Sequence, residues 1–391
     1  MVVATAATLV VAAAASLFMA WSIGAGSSGS TPFAPAVGAN AISVMRAGLV
    51  VGVLGLLGAV LQGANVTEAV GTELIGGVTL TAAAAIVALV TAAVLVAVGV
   101  FAGYPIATAF TVTGAVVGVG LAMGGDPAWP KYAEILTLWV LTPVVGGGVA
   151  YVVARGLIGD RLPQRPLTAA LAGLVGALLA NVGFALLGPE GEQASAAGVV
   201  GPALGIGAAG STVVTGVVAA AVAVAVYADL GRDRAGAQRR FLLAMGGLVA
   251  FSAGGSQVGL AIGPLVPIFG EFGVPLWALL VGGGVGLLAG SWTGAPRMIK
   301  AISQDYASMG PRRSISALIP SFAIAQAAVA FGIPVSFNEI IVSAIVGAGY
   351  AAGDAGVSRA KMVYTVLAWV GSLVGALGLG FGVYTAVSLV I

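Results

Sequence analysis

The chain has 391 residues, of which 60% are hydrophobic and 7% are charged, and its formal net charge is +2. Soluble domains carry about 25% charged residues, so this composition predicts an integral membrane protein. The sequence has no cysteine and no histidine, which excludes disulfides and thiolate metal sites and removes the commonest metal ligand and proton shuttle. No paired acids lie within the apolar runs, so we expect no enzyme, no cofactor and no metal site, and nothing indicates a nucleic-acid partner.

Apolar runs predict the membrane segments in chain order. Met1–Ala20 has no Lys or Arg before its apolar stretch, so we assign it to the first membrane helix rather than to a signal peptide. Shorter, Gly-rich runs predict half-helices or re-entrant hairpins, giving an all-α fold with about 10–12 membrane segments. The long runs lie at 2–24, 47–63, 74–101, 135–154, 167–187, 197–228, 241–253, 274–293, 315–331 and 362–391, and the short ones at 33–42, 105–122, 258–270 and 337–352.

Two stretches interrupt long apolar runs with Gly, Ser and Pro, at residues 26–38 and 254–266. Their prolines, Pro35 and Pro264, are 229 positions apart, and the same offset separates Pro105 from Pro334. Trp139 and Trp369 are 230 apart. The recurring offset predicts a duplication: a first membrane repeat at 1–160, a two-helix linker at 161–240 and a second repeat at 241–391.

Loop charges predict that the two repeats have opposite topology, because cytoplasmic loops carry an excess of Lys and Arg. Arg46 follows the first interruption, whereas Glu271 follows the second. The linker runs between two basic loops and has an acidic loop in its middle, so it returns the chain to the cytoplasm and both termini are predicted outside. The basic loops contain Arg155, Arg161 and Arg165, and Arg232, Arg234, Arg239 and Arg240; the acidic loop contains Glu190 and Glu192.

Inverted repeats with interrupted helices are the architecture of secondary transporters, which bind substrate near the membrane midplane. The N-terminus of a half-helix offers free N–H groups and a partial positive charge. Such a site can bind an anion without a buried arginine. This reasoning predicts a transporter whose substrate is an anion bound between the repeats.

At the same stretches the chain resembles the inorganic phosphate transporter (PiT) family of phosphate permeases, over nearly its whole length. The family motif G-[SA]-N-D-x-x-N-x-F-G-x-x-V-G corresponds to AGSSGSTPFAPAVG at 25–38, and G-A-N-D-V-A-N-A-I-G-P-L to GGSQVGLAIGPL at 254–265. The motif G-x-P-V-S-T-T-H corresponds to GIPVSFNE at 332–339 and, in the first half, to GYPIATAF at 103–110; N-V-T-E-T corresponds to NVTEA at 65–69.

The resemblance implies secondary active transport of inorganic phosphate across the cell membrane, coupled to Na⁺ or H⁺. The Asn-Asp pairs that the family uses for cations and phosphate are replaced here by Ser27-Ser28 and Ser256-Gln257. These residues are interpreted as substrate contacts at the repeat interface or as helix caps, for which Ser is favoured. The candidate substrate-binding residues are Ser27, Ser28, Thr31, Thr108, Ser256, Gln257, Ser336 and Asn338.

Glu339 is the one carboxylate just inside an apolar half-helix. Ionisable residues within membrane segments are usually functional, which makes Glu339 the candidate ion-coupling group. The alternative is structural, because Ser336-x-x-Glu339 matches a capping box.

The sequence alone leaves three other functions open. A permease for sulfate or another tetrahedral oxyanion would use the same hydroxyl and N–H chemistry, and a passive anion channel would suit the loss of both acids. A membrane enzyme is the least favoured. The expected partners are inorganic phosphate or sulfate, the lipid bilayer and, as a candidate, a second copy of the chain in a homodimer.

Overall fold

The computed structural model describes residues 6–159, 162–189, 192–207, 209–353 and 357–390. Within this described part, nine helices are long and apolar enough to cross a membrane, by length and composition. Two shorter apolar helices, Thr108–Ala122 and Phe337–Tyr350, bring the number into the predicted range. Large apolar side chains such as Val140 and Val144 are about two-thirds exposed, as suits a surface that faces lipid. The protein is a multi-pass, all-α membrane protein.

The first half of the chain contains seven helices and one short strand pair. Helix α1 continues into a π-helical turn before the first interruption, and strand β1 pairs with β2 around the hairpin formed by α5 and α6. The elements are α1 (Ala6–Ile23), the π turn Gly24–Ser28, α2 (Ala34–Gly38), α3 (Val44–Gln62), α4 (Ala64–Thr72), β1 (Ile75–Gly76), α5 (Ala82–Ala102), α6 (Thr108–Ala122), β2 (Asp126–Pro127) and α7 (Trp129–Ile158).

The linker contains α8 (Gln164–Asn181), β3 (Gly183–Phe184), β4 (Ala194–Ser195), α9 (Ala196–Ala203) and α10 (Ala209–Arg232). Strands β3 and β4 are antiparallel, with Gly183 opposite Ser195. The apolar run 197–228 is therefore two helices and not one segment, because α9 ends in a turn with Gly205 and Gly207 at positive φ.

The second half repeats the element order of the first. It contains α11 (Arg234–Ile262), a 3₁₀ turn Gly263–Leu265, α12 (Val266–Gly270), α13 (Leu276–Thr293), α14 (Ala295–Asp305), α15 (Pro311–Ala330), α16 (Phe337–Tyr350) and α17 (Arg359–Ser388). A bridge between Ala307 and Val357 takes the place of the β1–β2 pair.

The second interruption lies later than expected. Helix α11 runs unbroken through Gly254–Gln257 and ends at Ile262, and the break is the 3₁₀ turn that contains Pro264. In the first half the π turn continues α1 through Ser28. Glycine and serine alone do not stop these helices, whereas proline removes a backbone donor and does.

The Gly-x-Pro motif forms the same structure in both halves. Gly103 ends α5 and Gly332 follows α15, both in the left-handed region at φ 72° and 62°, where glycine has no steric cost. Pro105 and Pro334 then hold the chain extended until α6 and α16 begin. The motif thus turns the chain back and starts a half-helix inside the protein.

The two halves hold each other through reciprocal contacts. Helix α6 packs on α17, and α16 packs on α7. The Trp139 indole N–H donates to the carbonyl of Pro334 at 2.9 Å, and the Trp369 indole N–H donates to the carbonyl of Pro105 at 2.8 Å. Each half therefore positions the hairpin of the other.

Two ion pairs mark the ends of the structure. Lys131 at the start of α7 pairs with Glu73 at 2.7 Å, and Lys361 at the start of α17 pairs with Asp305 at 3.1 Å. Helix α5 starts a few residues after β1, near the first pair. The other end of α5 lies near the Lys361–Asp305 pair. Tyr104 follows the end of α5 by two residues, and the Lys361 ammonium lies 4.5 Å from the centre of its ring.

The 21 residues of α5 span about 31 Å at 1.5 Å per residue, which is the thickness of a bilayer core. The ion pairs thus lie at opposite ends of a membrane-length helix, consistent with inverted repeats. The repeat boundaries and the outside location of the termini stay predictions. Arg161 and Glu190, which contributed to the orientation, lie outside the described residues.

Candidate functional site

Three predicted residues from three elements meet in one hydrogen-bonded cluster. The Thr108 hydroxyl, at the first residue of α6, donates to Gln257 Oε1 of α11 at 2.7 Å. It also lies 3.3 Å from the Ser27 hydroxyl in the π turn, and Ser27 Oγ donates to the same Gln257 oxygen at 3.3 Å. The cluster therefore joins the first half to the second.

Two carboxamides satisfy equivalent carbonyls ahead of the half-helices. Asn338 Nδ2 donates to the carbonyl of Ile106 at 2.6 Å and to that of Gly26 at 2.9 Å. Gln257 Nε2 donates to the carbonyl of Val335 at 2.5 Å. Ile106 and Val335 are separated by the repeat offset of 229. These bonds fix the orientation of both amides, and Oδ1 of Asn338 faces away from the carbonyls.

Four polar atoms beside these bonds have no hydrogen-bond partner among the described residues: Ser28 Oγ, Ser256 Oγ, Ser336 Oγ and Asn338 Oδ1. Each belongs to a side chain at most 2% exposed. A buried polar atom without a partner costs about 1–3 kcal/mol. Several such atoms, on residues of the cluster or next to them in sequence, are the groups that a polar ligand would satisfy.

The N-termini of α6 and α16 both begin at this cluster. Their N-cap residues, Ala107 and Ser336, make no side-chain cap bond within the described chain. The first N–H groups of both helices remain available, and they carry the partial positive charge of the helix dipole. No Lys or Arg is needed for the cluster to attract an anion.

The cap interpretation is wrong for four of the predicted residues. Ser27 and Ser28 lie inside the π turn, and Ser256 and Gln257 lie inside α11. None of the four starts a helix in the described structure, because the helices continue through these positions. Thr31 is different, since its hydroxyl donates to the carbonyl of Ser27 at 3.0 Å and so stabilises the turn at the interruption.

Glu339 lies one position beyond Asn338 and faces a different space. It lines an apolar cavity of about 790 Å³ between α7, α16 and α17, together with Phe110, Trp139 and Trp369. Its side chain is 1% exposed. The predicted capping box does not form: within the described residues, both Ser336 Oγ and Glu339 Oε2 lack a partner.

Phe110, at the position of Glu339 in the first half, stacks on Trp139 with ring centres 3.8 Å apart. The two halves thus place an aromatic ring and a carboxylate at matching points. No group of three or more Asp, Glu, His or Cys side chains that could hold a metal occurs in the described part of the chain.

The sequence interpretation missed a second pair of amides, Gln62 and Gln326. Gln62 is fully buried at the end of α3, and its amide bonds with that of Gln326 in α15. The signal was present, because both glutamines lie within apolar runs where polar side chains are rare. It was overlooked because neither belongs to an interruption.

The chain is similar to known proteins in both sequence and structure. The sequence model described as "Phosphate transporter family" matches residues 23–380. "Putative phosphate permease PF1020" of Pyrococcus furiosus is 26% identical, with 90% of this chain and 89% of the relative covered. "Inorganic phosphate transporter 2-1, chloroplastic" of Arabidopsis thaliana is 25% identical over 90% of this chain and 67% of its own. The solved structure named "The sodium-dependent phosphate transporter" has a TM-score of 0.78 at 24% identity, covers 98% of this chain and is itself covered in full, so the two share a fold.

Proposed function

The chain belongs to the phosphate transporter family, and from this premise we propose that it is a secondary active transporter that carries inorganic phosphate across the cytoplasmic membrane. The anion binds where α6 and α16 begin, between the two halves. The hydroxyls of Ser28, Ser256 and Ser336 and the free helix N–H groups donate hydrogen bonds to its oxygens. Relatives named as phosphate permeases and transporters support the substrate.

The observation that carries the proposal is the set of four unpartnered polar atoms at the junction of the halves. Three are hydroxyl oxygens that can donate, and the fourth, Asn338 Oδ1, can only accept. An oxyanion that also carries an O–H group matches this set. Phosphate keeps at least one proton at neutral pH, because its last proton dissociates only in strongly basic solution, whereas sulfate is fully deprotonated.

This donor pattern favours phosphate over sulfate, which would leave the Asn338 oxygen unsatisfied. The burial of the site favours a transporter over a channel. All eight predicted substrate contacts are at most 2% exposed, so the site is closed to both faces. An occluded site of this kind belongs to alternating access.

The coupling charge is assigned to Glu339, since neither signature acid is present and Glu339 is a buried carboxylate one position after Asn338. Its ion is Na⁺ or H⁺. A carboxylate serves either one, by coordination or by protonation. The two ions differ in which imposed gradient drives uptake.

Uptake of radiolabelled phosphate into proteoliposomes tests the proposal. Vesicles receive a Na⁺ gradient, a pH gradient or neither, with unlabelled sulfate as competitor. We expect accumulation above the external concentration with one gradient and little competition by sulfate. Equilibration without accumulation under every gradient would show a channel. Equal competition by sulfate would show a general oxyanion permease.

A further inference from the structure

A polar cavity lies away from the candidate site. It measures about 470 Å³ and opens beside the β3–β4 hairpin, between α4, α8 and α15. We name it the amide vestibule, after its polar lining residues Asn65, Asn181, Gln193, Ser195 and Gln326. Among the described residues that line it, none is charged.

Gln326 connects this cavity to the interior. Its Nε2 donates to Ser252 Oγ of α11 at 2.6 Å and to Gln62 Oε1 at 3.2 Å. Gln62 Nε2 donates in return to Gln326 Oε1 at 3.3 Å and to the carbonyl of Gly183 at 2.7 Å. The two carboxamides thus pair with each other across the inner end of the vestibule.

The hydrogen-bonded chain ends at Ser252, one helical turn from a residue of the candidate site. Ser252 lies one helical turn before Ser256, so both face the same side of α11, and the Ser256 hydroxyl lacks a partner among described groups. A Cβ at Gly255 would stand 2.7 Å from the Cβ of Gln62. Glycine at this position lets the Gln62 side chain lie directly against α11, between the vestibule and Ser256.

Among the described residues, the first half has no equivalent of the bond between Ser252 and Gln326. By the offset of 229, Ile23 is equivalent to Ser252, and Ala97 is equivalent to Gln326. Both are buried and apolar. The polar connection therefore belongs to one face, and the repeat does not explain it.

We propose that the amide vestibule is the access route by which the oxyanion reaches the site from the face of the β3–β4 hairpin, and that the Gln62–Gln326 pair is its gate. When the pair separates, each carboxamide offers N–H donors to a passing anion. Neutral donors hold an anion weakly enough to release it, which conduction through a narrow path requires. An arginine there would hold it by strong, charge-assisted bonds.

The identity of the solute rests on the proposed function, but the route does not, so the test measures the route by itself. The chain has no cysteine, and a thiol introduced by Ser256→Cys is therefore unique. A charged, membrane-impermeant thiol reagent is applied to one face of sealed vesicles at a time. Adding Gln326→Ala is expected to speed labelling by about tenfold or more, from the hairpin face alone, because the gate no longer closes.

Ile23→Ala is the matched control, since it opens space at the position equivalent to Ser252 in the other half. We expect it to leave labelling from the hairpin face unchanged. Three outcomes would overturn the proposal. The labelling rate could be unchanged by Gln326→Ala, could rise equally in the control, or could rise when the reagent is applied to the opposite face.

A second arm does not depend on removing the gate. Ala327 lines the vestibule, and a bulky reagent on the thiol of Ala327→Cys is expected to lower phosphate uptake by about tenfold or more. Unchanged uptake after complete labelling would exclude this route. The two thiols can label as expected while the protein that keeps Ser256 and Ala327 takes up no phosphate. In that case the route stands and the phosphate assignment fails.

Discussion

The two halves of the molecule agree in their framework and differ in their chemistry. Both have the Gly-x-Pro turn, the indole bond to the proline of the other half, and a lysine paired with an acid at the start of the last helix. At the half-helix starts, however, the first half has Thr108 and Phe110 where the second has Phe337 and Glu339.

The difference follows from what each contact must satisfy. A reciprocal bond, such as Trp139 to Pro334, supports both halves, and its equivalent does the same from the other side. The site faces one ligand, which has no reason to be symmetric. Equivalent positions that face the ligand can therefore hold different residues in the two halves. The polar residues around Gln326 are the clearest example, because their equivalents Ile23 and Ala97 are apolar. Four experiments test this division, in order of decreasing effect.

The largest effect is expected at Gln257, which bonds to Thr108 and to the carbonyl of Val335. Gln257→Leu leaves the Val335 carbonyl buried without a partner, at about 1–3 kcal/mol, and leaves the Thr108 hydroxyl only its 3.3 Å contact with Ser27. It also removes the bond from Thr108 to Gln257, which joins the two halves. Phosphate uptake should fall about 100-fold or more.

The matched variant is Ser28→Ala, at the equivalent position of the first half, where the hydroxyl bonds to no described residue. It removes one ligand contact and should lower uptake about tenfold. Uptake by Gln257→Leu within twofold of the unmodified protein, with the same amount folded by gel filtration, would contradict the assignment.

The second effect concerns coupling. Glu339→Gln removes the charge and keeps the size, so gradient-driven accumulation should fall about tenfold or more, while exchange of internal for external phosphate continues. Phe110→Leu, the equivalent change in the other half, should preserve accumulation. Loss of exchange together with accumulation in Glu339→Gln would place the residue in substrate binding instead of coupling.

The third effect concerns stability and should be equal on both sides. Trp139→Phe and Trp369→Phe each delete one indole bond and leave a buried proline carbonyl unsatisfied, at about 1–3 kcal/mol. Thermal unfolding in detergent should show similar losses for the two variants. A loss confined to one of them would show that the framework is not shared.

The smallest effect is expected at the ion pairs. Lys131→Met and Lys361→Met remove partly exposed pairs, which contribute at most about 1 kcal/mol. Both variants should unfold within a few degrees of the unmodified protein. A large loss in either would show that its pair is more than a surface contact.

Much of the fold was predictable because apolar length and proline position are local properties of the sequence. The offset of 229 located the hairpins, and three of the polar residues around them, Ser27, Thr108 and Gln257, meet in one hydrogen-bonded cluster. The exact interruption near Pro264 was not predictable, since glycine and serine permit a break without requiring one. The bonds of Gln257 to Thr108 and of Asn338 to the Gly26 carbonyl join residues more than 140 positions apart, and no local pattern encodes them.

The reciprocal indole bonds also set an order of events during synthesis. Pro105, in the extended segment between α5 and α6, is made 264 residues before Trp369, which donates to its carbonyl. At about 5–20 residues per second, this carbonyl is without that partner for about 13–53 s. In that interval the extended segment between α5 and α6 has unpaired backbone groups at membrane depth, which lipid does not tolerate. We therefore expect the membrane insertion machinery to shield this segment from lipid until α16 and α17 have been synthesised.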